Sequence, residues 1–233
     1  MNATIKINLN HKSYLRDPEQ TMLGQKIIAE SIRLIDQLGF EEFTFKKLAA
    51  EMGSTEASVY RYFENKHKLL VYLVSWYWVW LDYQISFRIN NIDDPARRLR
   101  LILHLLAEAR LDDVKTTFVD EAALYRIVVA DAPKAYLTKG VDADNKENLF
   151  REYKTICKKI ADILLEIAPD YPYPHTLIST VMEATHQQTF FAQHLPSLTD
   201  IKQDQDANQK VADFLEHLVF AAIAAYTLSV NNH

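Results

Sequence analysis

The chain has 233 residues, a net charge of −5 and one cysteine. This length permits one or two domains with a sizeable core, and the lone Cys157 excludes an intrachain disulfide framework and fits a reducing cytoplasm. Four glycines and seven prolines are few for a sheet protein, which favours an all-α fold. No secretory leader opens the chain, and the longest apolar run, residues 69–81, is shorter than the roughly 20 residues of a membrane span. We therefore expect no membrane partner.

The predicted elements begin after residues 1–20, which lack periodicity and are expected to be a flexible arm. A helix over residues 21–38 carries an apolar stripe and ends at Gly39. Two short helices follow, and a long helix over residues 66–89 comes next. Further helices are predicted over residues 95–110, 114–130, 145–167, 175–194 and 208–230.

The two short helices are separated by a tight turn. Apolar residues four apart, Leu48 and Met52 in the first helix and Val59 and Phe63 in the second, give the two helices matching faces. Gly53 between them can adopt the positive φ that ends a helix, and the small polar residues after it can cap the next one. This arrangement is a helix-turn-helix, whose second helix enters the DNA major groove. The pattern therefore indicates DNA binding.

A family resemblance rests on the same region. Residues 21–70 resemble the DNA-binding end of the tetracycline-repressor (TetR) family. The matching positions lie in the turn, in the helices on either side of it and in the helix over residues 21–38: Gly53, Ser58-Val59-Tyr60-Arg61-Tyr62-Phe63, Lys66, Leu69, Ile27-Ile28-Ala29, Leu34-Ile35, Gly39-Phe40 and Thr44. The resemblance implies a non-enzymatic, cofactor-free regulator. It also implies an N-terminal three-helix DNA-binding domain over residues 21–68 and a C-terminal helical ligand-binding and dimerisation domain over residues 69–233.

Helix position and the resemblance together assign DNA contacts. Thr44 and Thr55 each stand at a helix start, where hydroxyls and free N–H groups bind phosphate. Family positions that commonly touch phosphate correspond to Tyr60, Tyr62 and Lys66. The candidates for base contact are Lys46, Glu56, Ala57, Ser58 and Arg61.

Two of these candidates have a definite chemistry. Arg61 can span guanine O6 and N7, and Glu56 can accept from cytosine N4. Glu56 is acidic where the family more often has a basic or amide residue, so the target sequence stays open.

The charge distribution favours two DNA-binding domains acting together. Residues 1–68 hold ten basic and nine acidic side chains, and the remainder holds sixteen and twenty-two, so the weakly basic end carries +1 and the rest −6. Each domain alone should therefore bind weakly and with strong salt dependence. The resemblance implies a homodimer through the last two helices, residues 175–194 and 208–230, on an inverted repeat in double-stranded DNA. The broad apolar surface of the last helix fits this interface, although burial within one chain is the alternative.

The helical body is rich in aromatic residues, and the resemblance implies that it binds a small-molecule inducer that releases DNA. Trp and Tyr suit a largely apolar pocket with a few polar tips. Candidate lining residues are Trp76, Trp80, Tyr83, His104, Phe118, Tyr125 and His186. An ordinary helix-bundle core is the alternative for each of them. A repressor is expected rather than an activator on the resemblance alone.

Two other classes of protein remain open. A helical metalloenzyme would use the Glu-x-x-His spacing of Glu183 and His186, with Glu108 and Glu121 as possible further ligands, although Glu64 and His67 match the same pattern by chance. A helical interaction protein without DNA binding fits the weak positive charge and Glu56. Cys157 lies among lysines without a nearby histidine, which is typical of an ordinary helix residue.

Overall fold

The computed structural model describes residues 9–108 and 118–231, and every regular element within them is helical. The predicted all-α fold is thereby confirmed. The helices are α1 (Met22–Leu38), α2 (Phe45–Glu51), α3 (Glu56–Tyr60), α4 (Lys66–Ile89), α5 (Pro95–Ala107), α6 (Glu121–Asp131), α7 (Pro133–Tyr136), α8 (Val141–Lys146), α9 (Arg151–Ile167), α10 (Pro174–His194) and α11 (Ala207–Asn231). Short 3-10 helices occupy His11–Ser13, Pro18–Gln20 and Pro196–Leu198.

These helices form two compact units, and α4 and α9 each run from one unit into the other. Within the described residues the first unit spans 9–80 and 118–153, and the second spans 81–108 and 154–231. The first unit contains the helix-turn-helix together with α6, α7 and α8. The second contains α5, α10 and α11.

The first unit is organised around α1. The Thr21 hydroxyl accepts from the Gly24 N–H at 3.0 Å and caps the start of this helix. Gly39, at φ 78°, ends it and donates its N–H to the Ile35 carbonyl at 2.8 Å. Its apolar face is buried and packs against α2 and α6. The head, by which we mean residues 9–68 with the helix-turn-helix, is therefore built on one amphipathic helix.

The second unit is a packed group of three helices. The Asp94 carboxylate caps α5 by accepting from the Ala96 N–H at 3.0 Å, and Pro95 occupies the first turn. One face of α5 is buried, and α11 packs against both α5 and α10. This packing covers only one side of α11 within the described part of the chain.

Some predicted boundaries were wrong. Helix α6 begins at Glu121 rather than near residue 114, because the Asp120 carboxylate caps it through the Ala123 N–H at 2.8 Å; residues 109–117 lie outside the described residues. The gap between the helices predicted over residues 114–130 and 145–167 contains α7 and the start of α8. Helix α9 begins at residue 151 instead of 145, since Asn148 adopts a φ of 57° and interrupts the helical run.

From residue 9 onward, the arm that was predicted to be flexible makes defined contacts with the rest of the head. We call residues 9–20 the N-terminal segment; residues 1–8 lie outside the described residues. Two 3-10 turns in this segment are capped by side chains, Asn10 accepting from the Lys12 N–H and Asp17 from the Glu19 N–H, each at 3.0 Å. The Leu15 N–H donates to the Tyr62 carbonyl at 2.7 Å. The segment is thus packed on the rest of the head, residues 21–68.

Gly24 of α1 lies against the backbone of Pro18 in this segment, and it gives the first testable prediction. A Cβ at Gly24 would lie 2.3 Å from the Pro18 carbonyl oxygen, so Gly24→Ala must displace backbone. We expect the free energy of unfolding in urea to fall by about 2 kcal/mol or more. Gly140→Ala is the matched control, because its nearest atom is the Thr138 hydroxyl oxygen at 3.8 Å. Equal losses in the two variants would contradict the observed packing.

Candidate nucleic-acid interface

The helix-turn-helix is formed by α2, α3 and the turn between them. The Thr44 hydroxyl caps α2 by accepting from the Lys47 N–H at 3.2 Å. Gly53 adopts a φ of 62° at the turn, and the Ser54 N–H donates to the Ala49 carbonyl at 2.8 Å. Thr55 precedes α3, but its hydroxyl meets the Ser58 hydroxyl at 3.0 Å and does not cap the helix. The predicted turn is present, and Thr55, one of the two small polar residues after Gly53 that could cap α3, makes no side-chain cap.

One side of α3 is buried and the other side faces solvent. Val59 and Phe63 are fully buried, as are Phe43 and Leu48 from the preceding elements. All the predicted DNA contacts except Tyr62 and Lys66 lie on the outside of α2 and α3 or at the ends of these helices. We call this surface the recognition face: Thr44, Lys46, Thr55, Glu56, Ala57, Ser58, Tyr60 and Arg61. Ser58 is half-buried and the other seven are exposed.

Tyr60 occupies the edge of this face. Its side chain is 48% exposed, and its ring packs edge-on against Phe45 with centroids 5.0 Å apart. The ring therefore anchors α3 on α2 while the residue keeps a solvent-accessible surface.

The structure places Tyr62 and Lys66 differently. Tyr62 is 1% exposed, and its hydroxyl lies 2.7 Å from the Thr21 hydroxyl. The Lys66 ammonium donates to three backbone carbonyls between α1 and α2, those of Phe40, Glu41 and Phe43, at 3.1, 3.0 and 3.3 Å. Both side chains hold the head together in this arrangement, and their contact with phosphate stays a prediction.

Three cations of the head are already paired with carboxylates. Arg33 bonds Glu30 and Glu51, Lys47 bonds Glu42, and Lys68 bonds Asp144 and Glu147. On the recognition face, by contrast, neither Lys46 nor Arg61 forms an ion pair with a carboxylate in the described part of the chain. A cation without a carboxylate partner keeps its charge available for a polyanion. The face also carries the acidic Glu56, so two cations and one carboxylate give it a net charge of +1.

The seven predicted pocket residues fall into both units. In the first unit, Trp76 donates to the Glu19 carboxylate at 3.2 Å, and the Tyr77 ring lies 6.0 Å from Trp80 and 6.1 Å from Tyr125. Phe118 is half-buried there. These contacts are those of a packed aromatic core.

The other three lie in the second unit. His104 bonds the Glu216 carboxylate at 2.9 Å, and Tyr83 is 47% exposed. His186 is buried, and desolvation lowers the pKa of its imidazole to about 4. Clefts within each unit, one beside Trp78, Tyr136 and Tyr153 and the other beside Arg98 and Lys159, include none of the seven. The inducer pocket stays a prediction.

The metal-site alternative finds little support in the described residues. No group of three or more His, Cys, Asp or Glu side chains is close enough to hold a metal ion within residues 9–108 and 118–231. His67, from the second Glu-x-x-His match, instead bonds Asp144 at 2.8 Å.

Comparison with known proteins agrees with this geometry. Residues 27–73 match the family model described as bacterial regulatory proteins, tetR family. The nucleoid occlusion factor SlmA of Photobacterium profundum is 36% identical over 72 residues, which cover 29% of this chain and 35% of that protein. The match thus spans about a third of the relative's length.

Solved structures resemble the chain over most of its length. AibR in complex with isovaleryl coenzyme A and operator DNA has a TM-score of 0.56 at 16% identity, covering 83% of this chain and 96% of AibR. The fatty acid degradation regulator FadR from Bacillus halodurans has a TM-score of 0.59 at 14% identity, covering 85% and 95%. Fold and recognition face together define a helix-turn-helix protein. Within residues 27–73 the chain has the N-terminal domain of the tetR family of bacterial regulatory proteins.

The Lys66 contacts give a prediction that concerns the protein without DNA. Lys66→Ala leaves three carbonyls without their ammonium donor, so we expect the free energy of unfolding to fall by about 1–3 kcal/mol. Lys46→Ala removes an equal charge from an exposed residue of the same head and should change it by less than about 0.5 kcal/mol. Urea titration of both variants checks this. A stable Lys66→Ala protein would show that the side chain contributes little to the fold.

Proposed function

We propose that the protein is a sequence-specific transcriptional regulator that binds an inverted-repeat operator as a homodimer and is released from it by a small-molecule inducer. The observation that carries this proposal is the two-sided character of α3. Val59 in α3 and Phe63 just after it are buried, whereas Glu56 and Ala57 in α3 and Arg61 just after it face solvent. A short helix with this arrangement after a tight turn fits the major groove.

Each residue of the recognition face has a proposed role. Arg61 and Lys46 carry cationic groups that can donate to guanine O6 and N7, and Glu56 can accept from cytosine N4. Thr44, Thr55 and Tyr60 can donate hydroxyls to phosphate oxygens at the rim. Tyr62 and Lys66 act behind this face by holding its position. Residues 21–68 then form the DNA-binding domain and residues 69–233 the regulatory and dimerisation domain.

The proposal of a dimer rests on the outer side of α11. Phe214, Leu218, Ala221, Ala225 and Leu228 recur every three or four residues, the spacing of a helix-packing seam. Phe214 and Leu228 are 41% and 65% exposed. A second copy of α10 and α11 would cover this stripe, which would bring two recognition faces to grooves about 34–36 Å apart.

The same helix has the length and composition of a membrane span. It is the only helix among the described residues that is long and apolar enough to cross a membrane. An 18-residue window within residues 207–228 has a mean hydropathy of 1.5, and 28% of that window is buried. Its other side packs against α5 and α10, and Glu216 on it bonds His104 and Arg100. A helix that packs against other helices and forms ion pairs on one side fits a protein interface better than a lipid environment.

Similar structures support a small-molecule ligand by analogy. The AibR structure contains both isovaleryl coenzyme A and operator DNA, and KstR2 of Mycobacterium tuberculosis is a ketosteroid transcriptional regulator. An inducer that binds the DNA-incompetent state more tightly would release the operator by shifting the population. We propose a repressor of this kind, with an inducer whose chemistry the residues do not define.

DNA binding is tested by selecting duplexes from a random library and titrating the selected sequence by fluorescence anisotropy. We expect an inverted repeat, and we expect Arg61→Ala to weaken binding to it by roughly tenfold to a hundredfold. Binding of Arg61→Ala to unrelated duplex should change far less. Lys139→Ala, which removes an exposed cation that is not part of the recognition face, is the control. Failure to select any sequence would overturn the proposal and favour an interaction protein without DNA binding.

The dimer is tested by placing a charge on the α11 stripe. Ala221 is exposed, so Ala221→Glu leaves the fold of one chain intact but buries a carboxylate in the proposed interface. Sedimentation equilibrium should show a dimer for the parent protein and a monomer for this variant. Ala50→Glu makes the same change at an exposed alanine of α2 and should remain dimeric. A dimeric Ala221→Glu protein would place the interface elsewhere.

A further inference from the structure

The N-terminal segment brings a cationic side chain to the end of the recognition helix α3. The Leu15 N–H donates to the Tyr62 carbonyl at 2.7 Å, which fixes the backbone beside the residue that follows Arg61. The Arg16 guanidinium carbon then lies 5.5 Å from the centre of the Tyr62 ring. Arg16 itself is exposed. An arginine over an aromatic face is held in place without losing its charge or its donors.

The backbone that carries Arg16 is held on both sides. After it, the Gln25 amide donates to the Glu19 carbonyl at 2.8 Å. The Glu19 carboxylate accepts from the Trp76 indole on α4 at 3.2 Å. Before it, the Tyr14 ring packs edge-on against Tyr72 of α4, with centroids 6.0 Å apart. These contacts place Arg16 before any ligand arrives, which reduces the entropy lost on binding.

The neighbouring carboxylates do not neutralise Arg16. Asp17 accepts from the Glu19 N–H at 3.0 Å and from the Gln20 amide at 2.8 Å, and Glu19 points to α4. Arg16 forms no ion pair with a carboxylate among residues 9–108 and 118–231. It shares this property with Lys46 and Arg61 of the recognition face. All three of these cations are thus left for an external anion.

We propose that Arg16 is an additional DNA contact, binding a backbone phosphate beside the base pairs that Arg61 reads. The inference rests on the proposed function. A guanidinium presents a planar set of donors that matches two phosphate oxygens, and its place at the end of α3, rather than on the outer side of that helix, suits the backbone rather than base edges. Arg16 therefore adds affinity for any duplex and no preference for sequence.

Salt dependence separates this role from a structural one. Arg16→Ala should weaken binding to the selected operator and to unrelated duplex by the same factor. If a dimer loses two phosphate contacts, the slope of log K against log salt falls in magnitude by about 1.8. The deficit of the variant relative to the parent should then be about tenfold larger at 50 mM than at 200 mM salt.

Matched variants complete the experiment. Arg16→Lys keeps the charge and should retain the parent slope, while Lys12→Ala removes an exposed cation four residues earlier in the same segment and should change neither slope nor affinity by more than about twofold. Suppose that Arg16→Ala has the same slope of log K against log salt as the parent protein, while Arg61→Ala still weakens operator binding. This result would overturn the inference about Arg16 and leave the proposed function standing. Absence of any duplex binding by the parent protein would overturn the proposed function and this inference together.

Discussion

The structure of the head depends on burying the inner side of α3. A helix of five residues is far too short to be stable by itself in water, so its conformation comes from the packing of Val59, Tyr62 and Phe63, each at most 1% exposed. The Phe63 ring meets Tyr72 of α4 at 5.3 Å, and the Tyr60 ring meets Phe45 of α2. Because the inner residues are fixed, the outer residues have a defined orientation before DNA is present.

Several polar residues serve this same packing. Lys66 supplies donors to carbonyls of the loop between α1 and α2, and Tyr62 joins α1 through Thr21. The spacing of Tyr and Lys around the turn can therefore express two needs, the stability of the head and its approach to phosphate. In this protein the first need is visible in the contacts. The second is proposed for Lys46 and Arg61, which form no ion pair with a carboxylate among the described residues.

Local patterns in the sequence predicted the elements that local interactions form. The bounds predicted for α1, α4, α10 and α11 lie within one residue of those observed, and Gly53 marked the turn, because helix ends and a positive φ depend on adjacent residues. The packed N-terminal segment was not predictable in this way. Its contacts join Leu15 to Tyr62 and Glu19 to Trp76, pairs too far apart in sequence for any periodicity to reveal.

The residues of the candidate site likewise differ in whether local sequence patterns could predict their positions. Exposure of Glu56, Ala57 and Arg61 followed from helix periodicity, since their neighbour Val59 had to face inward. The Lys66 ammonium bonds carbonyls 23 to 26 residues earlier, and no spacing rule signals such a contact. The aromatic residues proposed for a pocket were chosen by composition, which does not distinguish a lining from a packed core.

Hydroxyl-radical footprinting of the protein on its selected duplex tests the central claim most directly. If two copies of the recognition face occupy successive major grooves, two protected patches should appear on one side of the duplex, with centres about 34–36 Å apart and related by two-fold symmetry. A single patch, or uniform protection without symmetry, would contradict the account of a dimer that reads DNA through α3.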